Sequence, residues 1–108
     1  MTLARPENLR VDLPLEQMAQ LCRKWGIVRL ELFGSALRED FNDSSDVDLL
    51  YTFGRGVRIG LDLVTIHNEF ESLLGRPVDL VSRPAVERSR NPFRRREILD
   101  GSRVVYAQ

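Results

Sequence analysis

Apolar and polar residues alternate along this chain in two distinct rhythms, and the changes of rhythm mark its elements. From Pro14, Leu15, Met18, Cys22 and Trp25 recur at helical spacing until Gly26 interrupts them. Ile27 to Phe33 then alternates, with Val28, Leu30 and Leu32 on one side and Arg29 and Glu31 on the other, as in a half-buried strand. Gly34 and Ser35 open a short helix that leads into the polar loop from Glu39 to Ser45. Asp46 to Phe53 reads as a second strand with Val47, Leu49 and Tyr51 facing a core and Asp46 and Asp48 opposite. Glycines at 54, 56 and 60 flank a turn. A helix follows with Leu63, Ile66, Phe70, Leu73 and Leu74 on one stripe and Gly75 as its cap. Pro77 to Val81 is a third strand, Asn91-Pro92 starts a last helix that Gly101 ends, and Arg103 to Tyr106 forms a final strand.

This order predicts an α/β (α+β) domain: a small mixed β-sheet with helices packed on one face and carboxylates on the other. The 108 residues suit a single domain, 1–108, with residues 1–12 as a loosely structured arm. Hydrophobic residues make up 43% and charged residues 30%, ordinary values for a soluble globular protein. No apolar run approaches membrane-spanning length, and the first residues lack the apolar core of a signal peptide. One cysteine, Cys22, makes no internal disulfide and fits a reducing cytoplasm.

Net charge is zero, which argues against general nucleic-acid binding. The charges are unevenly spread, however. Five acidic residues lie between Glu39 and Asp48, whereas the basic surplus sits between Arg83 and Arg96. Every basic residue except Lys24 is arginine, which reflects a base-composition bias or a partner with an acidic surface. The Arg94-Arg95-Arg96 run reads as a solvated helix face, with a phosphate or RNA contact as the sharper alternative. His67 lies on the polar edge of its helix and reads as a boundary residue. Met18 and Trp25 are expected in the core, as is Cys22, a small apolar side chain there.

The chemistry concentrates in two segments. A Gly34-Ser35 turn brings backbone N–H groups and a hydroxyl to where phosphate oxygens can bind. Asp46 and Asp48, two apart on a strand, point to one face and can share a divalent cation. If the strands share a sheet, Asp79 points the same way and can join them around a second cation or act as a general base. Three carboxylates on one face repel one another unless a cation sits among them. Arg38, one turn beyond Gly34, can meet a triphosphate or a partner. Asp46-x-Asp48 alone is more often a solvated strand edge; its company makes it a site.

Leu32-Phe33-Gly34-Ser35, Arg38, Ser45-Asp46-Val47-Asp48-Leu49-Leu50 and Gly75-Arg76-Pro77-Val78-Asp79-Leu80-Val81 resemble the signature segments of the minimal nucleotidyltransferases of the DNA polymerase β superfamily. The resemblance spans roughly residues 14 to 106. It implies nucleotide binding by Gly34, Ser35 and Arg38, and catalysis at two Mg²⁺ ions held by Asp46, Asp48 and Asp79. It further implies that ATP is the substrate and that a nucleoside monophosphate is transferred. Many relatives of this size are type VII antitoxins paired with a HEPN-domain ribonuclease toxin, transferring AMP to a tyrosine of that toxin. Ser44 stands where many relatives have an acidic residue and Glu39 where many have glycine. Two other functions are compatible with these residues: a non-catalytic antitoxin that occludes its toxin, and nucleotidyl transfer to a small molecule.

Overall fold

A computed structural model describes residues 2–3, 13–37, 42 and 45–108. Helix α1 (Leu15–Trp25) packs its Met18, Ala19 and Cys22 stripe inward and stops at Gly26, which adopts the left-handed conformation (φ 78°). Strand β2 (Ile27–Phe33) follows at once, then a 3₁₀ turn over Gly34–Leu37. Strand β3 (Val47–Phe53) leads to helix α2 (Asp62–Leu74), which ends at left-handed Gly75. Strand β4 (Val78–Ser82) runs directly into the short helix α3 (Arg83–Glu87), capped by the Ser82 hydroxyl, which accepts from the Ala85 N–H. Helix α4 (Pro92–Gly101) and strand β5 (Arg103–Ala107) complete the order.

The sheet is mixed, as the alternation predicts. Its order is β1-β5-β2-β3-β4, where β1 is the two-residue strand Thr2–Leu3 paired antiparallel with β5. Residues 2 and 3 are therefore sheet residues rather than part of a loose arm; positions 4–12 lie outside the described residues. Of the pairings, only β3–β4 is parallel, joined by the α2 crossover.

Two irregularities shape β2. Its ladder with β3 shifts between Ile27 and Arg29, so Ile27 is buried while Val28, expected in the core, is only half-buried beside Gly54. Its ladder with β5 shifts between Leu30 and Glu31, skipping Val105, and Val105 and Tyr106 are consecutively buried.

Both faces of the sheet are covered, which departs from the expectation of helices on one face. Leu30, Leu32, Val47 and Leu49 meet Met18 and Cys22 of α1 and Ile66 and Phe70 of α2 in the main core. On the opposite face Leu50 packs with Val86 of α3 and Ile98 of α4, flanked by Phe33 and Val81. Neither the five-residue α3 nor an inward face of α4 stands out in the apolar pattern, because this second core is small and shares its face with charged residues.

The buried charge on that face is Glu31, 2% exposed. Arg83 Nη1 donates to both of its carboxylate oxygens at 2.7 and 2.6 Å, Ser102 Oγ donates at 3.0 Å and Arg29 Nε at 3.1 Å. Three donor groups, from β2, α3 and the α4–β5 junction, thus converge on one carboxylate in four hydrogen bonds. Burial of this kind is tolerated only when the charge is paired and hydrogen-bonded.

Two outcomes follow for stability. Replacing Glu31 by Gln, or Arg83 by Ala, strands the other partner and lowers unfolding free energy by about 3 kcal/mol, read from urea titration. The joint replacement Glu31→Leu with Arg83→Met recovers most of that loss, since no charge is left unpaired. Burial also pushes the Cys22 thiol from its ordinary 9.0 up to about 12. The unfolded thiol ionises first, so its folded state holds the extra proton and stability falls as pH rises above about 9. The margin of wild type over Cys22→Ala therefore narrows between pH 8 and pH 11, read as urea midpoints at each pH.

Candidate active site

Asp48 and Asp79 are brought together by strand register. Phe33 at the end of β2 lies opposite Asp48, and Asp48 in turn lies beside Asp79 across the parallel β3–β4 pair. Adjacent residues in such a ladder stand roughly 5 Å apart with side chains on one face, so the carboxylates share a surface. Three contacts hold this end of the sheet. The Val47 N–H donates to the Pro77 carbonyl at 3.0 Å, and Arg76 Nη1 donates to the Asn42 and Ser45 carbonyls at 3.3 Å each. From α2, Glu71 Oε2 accepts from the Val78 N–H at 2.9 Å, and His67 Nε2 lies 2.6 Å from the Val78 carbonyl, to which it donates. His67 is thus a boundary residue, and it pins the backbone immediately before Asp79.

Gly34 closes the site from the β2 side. Its φ is +72°, and a Cβ built there would overlap Asp48 Oδ2, with Asp48 Cγ at 3.1 Å. Only a glycine lets the turn press against this carboxylate. Gly34, Asp48 and Asp79 line an open cleft of about 470 Å³, whose other wall is the Arg94, Glu97 and Ile98 side of α4.

Of the residues singled out by sequence, Gly34, Asp48 and Asp79 meet in this cleft. Ser35 follows Gly34 in the 3₁₀ turn. Asp46 is exposed, one residue before β3, and is not among the cleft's lining side chains. Arg38, together with Glu39 and Ser44, lies outside the described residues. Glu97 was not expected here, and the arginine run reads first as a solvated face with a phosphate contact as its alternative; the packing of Ile98 sets Arg94 on the cleft side of α4.

The donor set suits a hard cation. Asp48 and Asp79 offer carboxylate oxygens alone, and magnesium is commonly held by one or two carboxylates with water and substrate phosphates supplying the rest. The lack of a Cβ at position 34 lets the Asp48 carboxylate sit directly against the turn. Among the described residues no three His, Cys, Asp or Glu side chains are grouped closely enough to hold an ion by themselves. The carboxylates brought together by strand register are, among the described residues, the pair Asp48 and Asp79. No helix among the described residues is long and apolar enough to cross a membrane.

Comparison with known proteins agrees with this geometry. Residues 16–105 match the family described as "Nucleotidyltransferase domain". "Putative protein adenylyltransferase MJ0435" of Methanocaldococcus jannaschii is 41% identical over 59 residues, 55% of this chain and 62% of the relative. The chain thus spans less than two thirds of that relative's length. "Putative protein adenylyltransferase MJ1217" of the same organism is 30% identical over 78 residues, covering 72% of this chain and 76% of the relative. Among solved structures, one described as "Structure of putative minimal nucleotidyltransferase" superimposes with a TM-score of 0.64 at 35% identity, covering 82% of this chain and 86% of that one. A toxin-antitoxin complex solved with AMP-PNP gives a TM-score of 0.67 at 18% identity, covering 89% and 75%, a likeness of fold alone.

The Gly34 contact yields a stability outcome. Gly34→Ala combines a left-handed backbone with overlap on Asp48 and lowers unfolding free energy by about 1–2 kcal/mol. At Gly60, which has open space and no positive φ, alanine changes stability by less than about 0.5 kcal/mol. Parallel urea titrations of the two variants measure the difference.

Proposed function

The chain belongs to the nucleotidyltransferase family, and on that premise we propose that it transfers AMP from ATP to a hydroxyl of a partner protein. The in-register pair Asp48 and Asp79, set against Gly34 in an open cleft, is the observation that carries this reading. Members of the family act on nucleoside triphosphates with a divalent cation. Asp48 and Asp79 would hold that cation (Mg²⁺, with two ions as the proposed count), whose charge offsets the triphosphate and acidifies the acceptor hydroxyl. The roles of Asp48 and Asp79 rest on geometry; that of Asp46 as a further ligand rests on its spacing alone.

The chain's own contributions are positional. Gly34 admits the phosphates close to the backbone, and Ser35 adds a hydroxyl beside them. The acceptor oxygen attacks the α-phosphorus, the bond from that phosphorus to the bridging oxygen of the β-phosphate breaks, and pyrophosphate departs. The hydroxyl proton passes to the Asp79 carboxylate. Arg38 is proposed to contact the nucleotide, on the family resemblance.

The partner we propose is a HEPN-domain toxin, with this chain as its antitoxin in a reducing cytoplasm and a toxin tyrosine as acceptor. The support is the fold shared with the toxin-antitoxin complex solved with AMP-PNP and the naming of the two relatives as protein adenylyltransferases. A second reading is that the chain neutralises its toxin by occlusion, without transfer.

One experiment separates the two. The chain is mixed with a candidate HEPN-domain partner, ATP and Mg²⁺, and the partner is weighed by intact-mass spectrometry. Transfer adds one or more AMP-sized increments, and Asp48→Asn or Asp79→Asn lowers the rate by about a thousandfold. Toxin neutralisation that survives both asparagine changes in cells, with no mass increment, establishes occlusion instead.

A further inference from the structure

The glycine turn and the aspartates leave one wall of the cleft without a role. That wall is α4, and among the described residues Arg94 is the only cationic side chain lining the cleft. We propose that Arg94 is a binding residue for the triphosphate of the nucleotide, a positioning group opposite the carboxylate pair. The inference rests on the transferase reading above and extends it to a residue that the recognised segments do not include.

Four observations carry it. Arg94, Glu97, Ile98 and Gly101 all line the cleft, the spacing of a single helix face. Ile98 is 8% exposed in the second core, so this face is anchored rather than free to rotate. The first turn of α4 is fixed as well. Pro92 occupies its start, and Asn91 Oδ1 accepts from the Phe93 and Arg94 N–H groups at 3.1 Å each. The arginines nearby are used differently: Arg95 Nη1 donates to the Ser89 carbonyl at 2.6 Å, and Arg83 is committed to Glu31. Among the described residues the Arg94 guanidinium makes no hydrogen bond or ion pair, and it is exposed at the cleft.

Charge gives the ligand class. Among the described residues the lining holds three carboxylates, Asp48, Asp79 and Glu97, against the single guanidinium of Arg94. A triphosphate brings about four further negative charges near neutral pH, which carboxylates repel. A guanidinium with five donors in a planar fork is suited to phosphate oxygens, and one on the far wall draws the polyphosphate across the cleft.

The test is calorimetric titration of the intact chain with MgATP, and separately with magnesium and inorganic triphosphate. The variants are Arg94→Ala, Arg94→Lys and Arg96→Ala, the last an exposed arginine of the same helix outside the cleft. Arg94→Ala weakens both ligands about tenfold or more, Arg94→Lys loses less, and Arg96→Ala stays within about twofold. Circular dichroism confirms that each variant is folded. Wild-type binding with an unchanged Arg94→Ala overturns this inference and leaves the transferase reading intact. Weakened MgATP with unchanged inorganic triphosphate also overturns it, since Arg94 would then touch base or sugar. A wild type that binds neither ligand overturns the nucleotide reading itself, and this inference with it.

Discussion

The Glu31 carboxylate is the fixed point around which the second face of the sheet is organised. An unpaired carboxylate buried to this degree would cost several kcal/mol, so its partners are obligatory. They come from three places in the chain: Arg83 where β4 turns into α3, Ser102 where α4 turns into β5, and Arg29 on β2 itself. Two of these contacts lie at junctions, the start of α3 and the end of α4, and they tie both helices to β2. The small apolar cluster of Leu50, Val86 and Ile98 is thin cover by itself. With its ends tied to Glu31, it suffices to hold α4 as a wall. The same face therefore carries, in succession along the sheet, an ion cluster, an apolar patch and the paired aspartates.

Strand direction explains why the aspartates meet at all. Asp48 is the second residue of β3 and Asp79 the second of β4, and parallel pairing puts both at the same end of the sheet. An antiparallel pairing of these segments would place Asp79 opposite the far end of β3, on the order of 10 Å from Asp48. The α2 crossover imposes the parallel arrangement, and the same helix secures Val78 through His67 and Glu71. Strand β2 runs the other way, so its last residues finish where β3 begins. Gly34 arrives against Asp48 for that reason.

Much of this was legible in the chain. The helical stripes of α1 and α2, their glycine ends and the alternation of β3 and β4 survive in the structure nearly residue for residue, because each faces one large core. The grouping of Gly34, Asp48 and Asp79 was legible as well, since carboxylates at matching positions of neighbouring strands share a face and a glycine allows a close turn. The second face was harder to read. Glu31 has the polarity of a solvated strand residue, and only Arg83, 52 positions later, makes it an interior one. Helix α3 spans five residues, too few for a periodic signal, although Ser82 and Pro84 carry the cap chemistry of a helix start. Strand β1 is two residues long and exists through its partner β5. Arg94 is chemically identical to its neighbours Arg95 and Arg96; what separates the three is which way α4 faces, and Ile98 decides that.

The buried ion cluster and the open carboxylate pair use the same kind of side chain on the same face to opposite ends. Glu31 is surrounded by donors that belong to the protein, so its charge is spent within the fold and attracts nothing from outside. Asp48 and Asp79 stand across strands from one another, one half-buried and one exposed, with a glycine where any other residue would fill the space. Two carboxylates so placed gain most from a cation supplied with the ligand. A nucleoside triphosphate is itself anionic and meets a cleft of like charge, so nucleotide and cation favour each other's binding there. Reciprocity makes that coupling equal in both directions. On the proposed reading the site is completed by its substrate, and the Glu31 cluster is what holds the wall of α4 in place.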